Sequence, residues 1–291
     1  MDFVIPRFFY WQFLVTPQLP KTTFEGQTII VTGGNAGLGL EAVRHFVRLK
    51  AKKVIIACRS IKKGEAAKAD VEASTGRQGV VEIMEVDLAN FKSVKQFVAK
   101  VNTLDRLDIL LENAGIQTDK WEILEDDEST ITVNVVSTFL MALMVLPKLQ
   151  ESAKKFNITP RLCIVASEVH FMTDLAAELE RSSVFDALRD QSIATMKFIR
   201  YCQSKLLEVL YCRVLAEKMK ESGKPFVILN YMNPGLCHSN LAGEAGQTWT
   251  ARFFKGILAR RTDVGARTEV AAVALGKESH GKFINNGYIS E

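Results

Sequence analysis

The chain has 291 residues, 47% hydrophobic and 24% charged, which is the composition of one large globular domain or two small ones. Its 37 basic and 33 acidic residues are mixed along the sequence without a basic arm, so we expect no nucleic-acid partner. The five cysteines lack a C-x-x-C pair, which predicts reduced thiols, a cytoplasmic setting and no metal site.

Residues 1–20 form an aromatic N-terminal extension before the predicted domain. Pro6 and Arg7 interrupt its apolar stretch, which is well short of the ~20 residues that a membrane-spanning helix needs. The extension also lacks the basic start and the cleavage site of a secretory signal. Two interpretations stay open: the extension docks on the protein body, or it makes a peripheral contact with a membrane surface.

Short apolar runs alternate with longer amphipathic patterns after residue 21. The runs predict buried strands at 28–31, 54–57, 80–86, 107–111, 162–166, 226–229 and 283–289. The amphipathic patterns predict helices at 40–49, 62–74, 93–101, 130–152 and 201–218. This alternation predicts one α/β domain over 21–291, a doubly wound Rossmann fold. We expect a parallel sheet of about seven strands with helices on both faces.

The first strand leads into a glycine-rich turn that precedes a helical pattern. Glycines at such a turn let the backbone approach a pyrophosphate, whose charge then meets the helix N-terminus. The strand before and the helix after supply the context that a dinucleotide site requires. The predicted cofactor-binding residues of the turn are Gly33, Asn35, Ala36, Gly37, Leu38 and Gly39.

The end of the second strand indicates which dinucleotide would bind. Enzymes that use NAD commonly have an acidic residue here, which binds the ribose 2′-hydroxyl. This chain has Arg59 instead. A guanidinium can bind a 2′-phosphate through two hydrogen bonds, which favours NADP(H). A solvated surface arginine is the alternative.

Tyr201 and Lys205 are candidates for proton transfer. Their separation of four residues places both side chains on one face of the predicted helix. A nearby ammonium favours the phenolate form and brings a phenol closer to a working pKa. Ser167 ends the fifth strand, at the edge where open α/β sheets bind ligands, and its hydroxyl can hydrogen-bond a substrate carbonyl.

The order of these residues along the chain resembles that of the short-chain dehydrogenase/reductase family. The resemblance covers about residues 27–288. The turn has the family spacing T-G-x-x-x-G-x-G. The stretches around Arg59, Ser167 and Tyr201 look closest to the retinol-dehydrogenase-like branch. Within that branch they are most similar to fungal reductases of secondary metabolism. The resemblance implies that Asn134 helps to arrange a water path to Lys205. It also implies further cofactor contacts at Asp87, Leu88, Asn113, Ala114, Gly115, Tyr201, Lys205, Pro234 and Gly235. A homodimer or homotetramer through the helices after strands four and five is the expected assembly.

The chain departs from the family pattern at three places. Glu112 replaces the first asparagine of N-N-A-G, and it either substitutes in the local hydrogen bonding or alters the cofactor groove. Residues 168–200 form a long insertion, and residues 236–261 form a second variable segment. Both are rich in apolar side chains and are expected to wall the substrate cleft, and those of the insertion are Phe171, Met172, Leu175, Phe185, Met196 and Phe198. In the second segment, a stripe of four apolar residues is either the face of a lid or the core side of a helix, namely Trp249, Phe253, Phe254 and Ile257.

These expectations combine into an NADP(H)-dependent oxidoreductase. A hydride would pass between the nicotinamide and a lipophilic ketone, aldehyde or alcohol, with Tyr201 as general acid/base. The resemblance implies a step in the biosynthesis of a natural product. Two alternatives remain: a regulatory protein that binds the cofactor without catalysis, and a cyclase or isomerase on the same fold.

Overall fold

Strands and helices alternate along the chain. A computed structural model describes residues 9–180, 183–192, 194, 196, 198–238, 241 and 258–290. Its strands are β1 (Thr28–Thr32), β2 (Lys53–Cys58), β3 (Val81–Glu85), β4 (Ile109–Glu112), β5 (Ile123–Leu124), β6 (Asp127–Glu128), β7 (Arg161–Val165), β8 (Ile228–Asn233), β9 (Phe283–Asn285) and β10 (Tyr288–Ser290). Its helices are α1 (Gly37–Arg48), α2 (Ile61–Thr75), α3 (Phe91–Asn102), α4 (Ser129–Phe156), α5 (Ala176–Leu179), α6 (Val184–Arg189), α7 (Phe198–Glu221) and α8 (Thr262–Ala274).

The large sheet has eight strands in the order β10-β9-β8-β7-β4-β1-β2-β3, and β5 pairs with β6 outside it. Every neighbouring pair of the large sheet is parallel except β9 and β10. The strand order reverses between β1 and β4, which leaves a crevice at the carboxyl ends of these strands. The predicted doubly wound α/β fold is confirmed.

The C-terminal strand differs from the prediction. The apolar run at 283–289 was expected to be one strand, but it forms β9 and the antiparallel β10, so the sheet has eight strands rather than about seven. Asn286 and Gly287 separate the two, with φ angles of 52° and 89°. A two-residue hairpin turn with positive φ at both positions favours Asn-Gly, and this pair therefore reverses the chain.

Two apolar layers cover the sheet. Alternate residues of each strand face opposite sides, so that Ile30 and Leu110 pack with α3, α4 and α7, whereas Ile29 and Leu111 pack with α1, α2 and α8. All four side chains are fully buried. All five cysteines are buried and unpaired as well. The layers hold the strand ends in place, and the predicted site lies at these ends.

The N-terminal extension contacts the protein body from residue 9 onward. The amide nitrogen of Gln12 donates to the carbonyl oxygens of Leu236 and Leu258 at 2.9 and 2.6 Å, and its amide oxygen accepts from the backbone N–H of Leu236 at 3.2 Å. The Trp11 ring lies 5.6 Å from the ring of Tyr288, centroid to centroid. These contacts match the docking interpretation. Four apolar side chains of the extension are exposed, namely Phe9, Tyr10, Phe13 and Leu14.

Among the described residues, α4 alone is long and apolar enough to cross a membrane. Of its apolar window, 67% is buried inside the protein. The side chains of Met141, Val145 and Leu149 belong to the core on one face of the sheet. In this fold α4 is therefore a core helix.

Candidate active site

The glycine-rich turn lies at the carboxyl end of β1, beside the crevice. Gly33 has a φ of +67°, in the region that favours glycine. A Cβ at residue 39 would lie 2.5 Å from Nδ2 of Asn113 and 2.8 Å from the carbonyl oxygen of Gly33, so the backbone there is packed too closely for a side chain. Asn35 is half-buried, and the exposed Ala36 immediately precedes α1.

The N-terminus of α1 is open to an anion. No side chain caps it, and its first turn contains no acidic residue. The first backbone N–H groups of a helix have no partner within the helix and attract phosphate. Together with the closely packed backbone of the turn, this end of α1 fits the pyrophosphate of a dinucleotide.

The ends of β2 and β3 lie on one side of the turn. Arg59 follows β2 directly and is exposed. The Asp87 carboxylate accepts a hydrogen bond from the backbone N–H of Ala89 at 3.0 Å, while its own N–H donates to Oγ of Ser93 at 2.9 Å. Leu88 is buried, and its carbonyl oxygen accepts from Ser137 at 2.6 Å. These predicted cofactor residues therefore lie along the carboxyl edge of the sheet.

The end of β4 is bonded to the end of β1. Nδ2 of Asn113 donates to the carbonyl oxygen of Thr32 at 2.8 Å, and the N–H of Ala114 donates to Oγ1 of Thr32 at 3.0 Å. Gly115 follows and faces Asn134, because a Cβ at residue 115 would lie 3.2 Å from its Oδ1. The sequence motif Asn113–Gly115 thus forms the wall of the crevice opposite the turn.

Asn134 is fully buried in a π-helical turn of α4, Thr132–Ser137. Its Oδ1 accepts from the N–H of Ile116 at 2.8 Å, and its Nδ2 donates to the carbonyl oxygen of Ile116 at 2.9 Å and to Oγ of Ser204 at 3.0 Å. Asn134 therefore connects the loop after β4 to α7. Such π-helical turns are frequent at functional sites.

Ser167 and Tyr201 meet across the cleft. Ser167 directly follows β7, and its side chain lies close enough to Tyr201 on α7 to lower the pKa of the phenol. Nζ of Lys205 lies 5.6 Å from the centroid of the Tyr201 ring, on the same face of the helix. The predicted serine, tyrosine and lysine are thus brought together at the carboxyl edge of the sheet.

Tyr201 carries a higher pKa than the sequence suggested. Burial raises the pKa of Tyr201, and the Lys205 ammonium offsets only part of this rise. Nζ of Lys205 donates to the carbonyl oxygen of Val165 at 2.8 Å and to both carboxylate oxygens of Glu208 at 2.8 and 3.0 Å. The charge of Glu208 itself raises the pKa of Tyr201 further. Glu208 was missed from the sequence, although its spacing of three from Lys205 places it on the same helix face.

Comparison with known proteins decides the family. A family model described as short chain dehydrogenase matches residues 27–159. The short chain dehydrogenase atnD of Emericella nidulans is 47% identical over 289 residues, which covers 97% of this chain and 90% of the relative. The chain belongs to the short-chain dehydrogenase/reductase family of oxidoreductases. The short-chain dehydrogenase anuD of Penicillium roqueforti is 42% identical, over 98% of this chain and 75% of the relative. Both relatives are fungal, as the resemblance implied.

Solved structures of short-chain dehydrogenases share the fold. One from Shigella flexneri, complexed with NADP, has a TM-score of 0.67 at 20% identity and covers 92% of this chain and 99% of its own. One from Escherichia coli, complexed with NADPH, has a TM-score of 0.66 at 22% identity, with the same coverage of 92% and 99%. These similarities extend over nearly the whole sheet and its helices.

Glu112 is the residue at which this chain departs from the family motif. It is buried at the end of β4, and neither carboxylate oxygen has a hydrogen-bond partner among the described residues. The interpretation that it substitutes in the local hydrogen bonding is therefore wrong. Burial raises the pKa of Glu112 well above its usual range, and the charge of Glu208 adds to the rise. Burial at this position therefore favours the neutral form of Glu112.

The insertion at 168–200 serves two purposes in the structure. Leu175, Phe185 and Leu188 pack against α4 and α7 in a small core of their own. In contrast, Phe171, Met172 and Phe198 are exposed, and the Phe198 ring lies 6.5 Å from that of Tyr201. Part of the insertion is thus core rather than cleft wall. Trp249, Phe253, Phe254 and Ile257 of the second variable segment lie outside the described residues.

The segment after β8 begins with Pro234 and Gly235. A Cβ at residue 235 would lie 3.1 Å from Nη1 of Arg260 and 3.2 Å from the side-chain oxygen of Gln12. Arg260 also donates to the carbonyl oxygens of Trp11 and Val15. The N-terminal extension therefore contacts both described ends of the 236–261 segment, an arrangement that the sequence did not predict.

Proposed function

We propose that this chain is an NADP(H)-dependent oxidoreductase that interconverts a lipophilic carbonyl compound and its alcohol. The observation that carries the proposal is the meeting of Ser167, Tyr201 and Lys205 beside the glycine-rich turn. A phenol, a hydroxyl and an ammonium at one sheet edge form a proton-transfer site, which a protein that only binds the cofactor would not need.

Tyr201, Ser167 and Lys205 have different roles in the proposed reaction. When bound, NADPH supplies the hydride for the carbonyl carbon. Tyr201 donates its phenolic proton to the carbonyl oxygen, and in the oxidation its phenolate takes the proton back. Ser167 orients that oxygen by a hydrogen bond, and the positive charge of Lys205 stabilises the phenolate form of Tyr201.

Arg59 supports NADP(H) over NAD(H). It is exposed at the end of β2, next to the strand that carries the turn, where a carboxylate would repel a 2′-phosphate. Its guanidinium is free to donate two parallel hydrogen bonds to phosphate oxygens. The related structures complexed with NADP and NADPH are consistent with this choice.

The lipophilic substrate class rests on exposed apolar side chains of the 168–200 insertion, of which Phe198 lies beside Tyr201. Phe171, Met172 and Phe198 would lose their contact with water when an apolar substrate covers them. Ser167 and Tyr201 would then be the polar groups that orient the substrate. We further propose a homodimer or homotetramer, supported by the exposed Leu143 on α4 and the exposed Leu210 and Val214 on α7.

A series of 2-alkanones of increasing chain length tests the substrate class with NADPH. Each methylene buried is worth about 0.8 kcal/mol, so we expect kcat/KM to rise about fourfold per carbon until the cleft is full. Phe198→Ala should flatten this rise. Phe226→Ala, the same change at the amino edge of the sheet, should leave it unchanged. A series that is flat or falling from the shortest ketone would contradict the lipophilic class.

A further inference from the structure

The ammonium of Lys205 is held by an acidic residue that the proposed reaction does not use. Both side chains are almost fully buried, with 5% of Lys205 and 2% of Glu208 exposed. An ammonium has three N–H donors. Here Nζ donates to Val165 at 2.8 Å and to the two Glu208 oxygens at 2.8 and 3.0 Å. Among the described residues, the acceptors of this ammonium are therefore Val165 and Glu208, and the Tyr201 hydroxyl is not one of them.

Other ionisable groups face this pair from the neighbouring elements. Glu112 of β4 lies close enough for its charge to couple with Glu208, and Cys212 and Tyr201 lie on α7 itself. Cys163 of β7 is coupled to Glu112, to Glu269 on α8 and to Cys212. Burial raises the pKa of Glu112 and of both thiols well above their usual ranges, which favours the neutral forms of these three groups. Burial raises the pKa of Glu269 to about 8.

Glu208 is the acidic group in direct contact with the ammonium. Burial raises the pKa of Glu208 to about 7, although Lys205 lowers it. Because the pKa of Glu208 in the fold is raised, its carboxylate is protonated below about pH 7 and charged above. The charged form competes for Lys205, and it also raises the pKa of Tyr201 directly.

We propose that Glu208 is a positioning residue that competes with the cofactor and with Tyr201 for the Lys205 ammonium. It thereby sets how firmly the cofactor is held and how readily Tyr201 gives up its proton. The effect on the cofactor rests on the proposed function, whereas the effect on Tyr201 does not, because it exists in the protein alone.

The first experiment measures the ionisation of Tyr201 without cofactor. The phenolate absorbance is followed against pH, and the Tyr201→Phe variant identifies the signal of this residue. In Glu208→Gln, which has the same shape without the charge, the midpoint should fall by at least about one pH unit. Glu208→Asp keeps a carboxylate and should remain near the unmodified midpoint. Glu217→Gln, an exposed position on the same helix, should not move it. An unchanged midpoint in folded Glu208→Gln would overturn the proposal.

The second experiment measures NADPH binding by the fluorescence of the reduced nicotinamide. For the unmodified chain and Glu217→Gln, we expect roughly tenfold weaker binding at about pH 8 than at about pH 6, because charged Glu208 retains Lys205. Glu208→Gln should lose most of this difference, and an equal pH dependence in Glu208→Gln would contradict the proposal. Absence of NADPH binding by the unmodified chain at both pH values would instead contradict the proposed function, and the tyrosine midpoint would still decide the role of Glu208.

Discussion

Tyr201→Phe should reduce turnover by at least ~100-fold while leaving NADPH binding nearly intact, since a general acid/base contributes 10²–10⁴-fold to a rate. The change removes only the hydroxyl group that meets Ser167. The ring stays beside Phe198 and Lys205, so the walls of the cleft keep their shape. Steady-state kinetics with a lipophilic ketone, together with a fluorescence titration of NADPH, measure the two effects separately.

A matched control is available on the same helix. Tyr211 lies two to three turns beyond Tyr201 and packs its ring against Phe139 and Phe185. Tyr211→Phe should therefore change turnover by less than about twofold, because a phenol outside the site transfers no proton in the reaction. Equal losses in the two variants would mean that the effect is structural. Full activity of Tyr201→Phe would contradict the proton-transfer role.

Arg59→Asp should reverse the preference of the protein between NADPH and NADH. The unmodified chain should bind NADPH about 10- to 100-fold more tightly than NADH, the range expected for hydrogen bonds to a charged group. The aspartate removes the donors for the 2′-phosphate, repels it, and can accept a hydrogen bond from the ribose 2′-hydroxyl of NADH. Dissociation constants for both cofactors in both proteins measure the reversal.

The control for Arg59→Asp makes the same change of charge at a residue far from the site. Lys220 is exposed near the C-terminal end of α7, at the opposite edge of the sheet. Lys220→Asp should leave the ratio of the two dissociation constants unchanged, because exposed charges beyond a Debye length of about 8–10 Å are largely screened. Equal affinities of the unmodified chain for the two cofactors would refute the role of Arg59.

The sequence predicted the parts of the site that follow from strand position. Ser167 and Asn113 each come directly after an apolar run, and parallel strands bring their carboxyl ends to one edge. Knowing the order of elements was therefore enough to expect Gly33, Asn113 and Ser167 near each other. Tyr201 and Lys205 followed from helix periodicity. These are properties of the backbone, and short stretches of sequence determine them.

The partners of buried charged groups were not predictable in the same way. The ammonium of Lys205 bonds both Glu208 and the carbonyl oxygen of Val165 at the end of β7, and the isolation of Glu112 depends on how the chain packs around it. Spacing along α7 allows the Lys205–Glu208 pair but also allows both side chains to face the cofactor. Likewise, the sequence of the extension gave no reason for Gln12 to bind Leu236 and Leu258.

The reversal of the chain at Asn286 and Gly287, unlike the partners of the buried charged groups, could be predicted from the sequence. Asn-Gly between apolar residues is a strong short-range indication of a hairpin. The apolar content of residues 283–289 alone predicts one strand, whereas the Asn286-Gly287 pair predicts a turn within it. In the structure the positive φ angles of Asn286 and Gly287 take precedence, and the sheet gains its antiparallel edge strand.

Transfer of deuterium from NADPH labelled at C4 of the nicotinamide ring tests the central claim most directly. The labelled cofactor is incubated with the protein and a panel of lipophilic ketones, and each product is analysed by mass spectrometry and NMR. We expect an alcohol with one deuterium on the former carbonyl carbon, formed by the unmodified chain and by Tyr211→Phe, but at least ~100-fold more slowly by Tyr201→Phe. Alcohol without the label, or oxidation of NADPH that does not depend on Tyr201, would contradict the account.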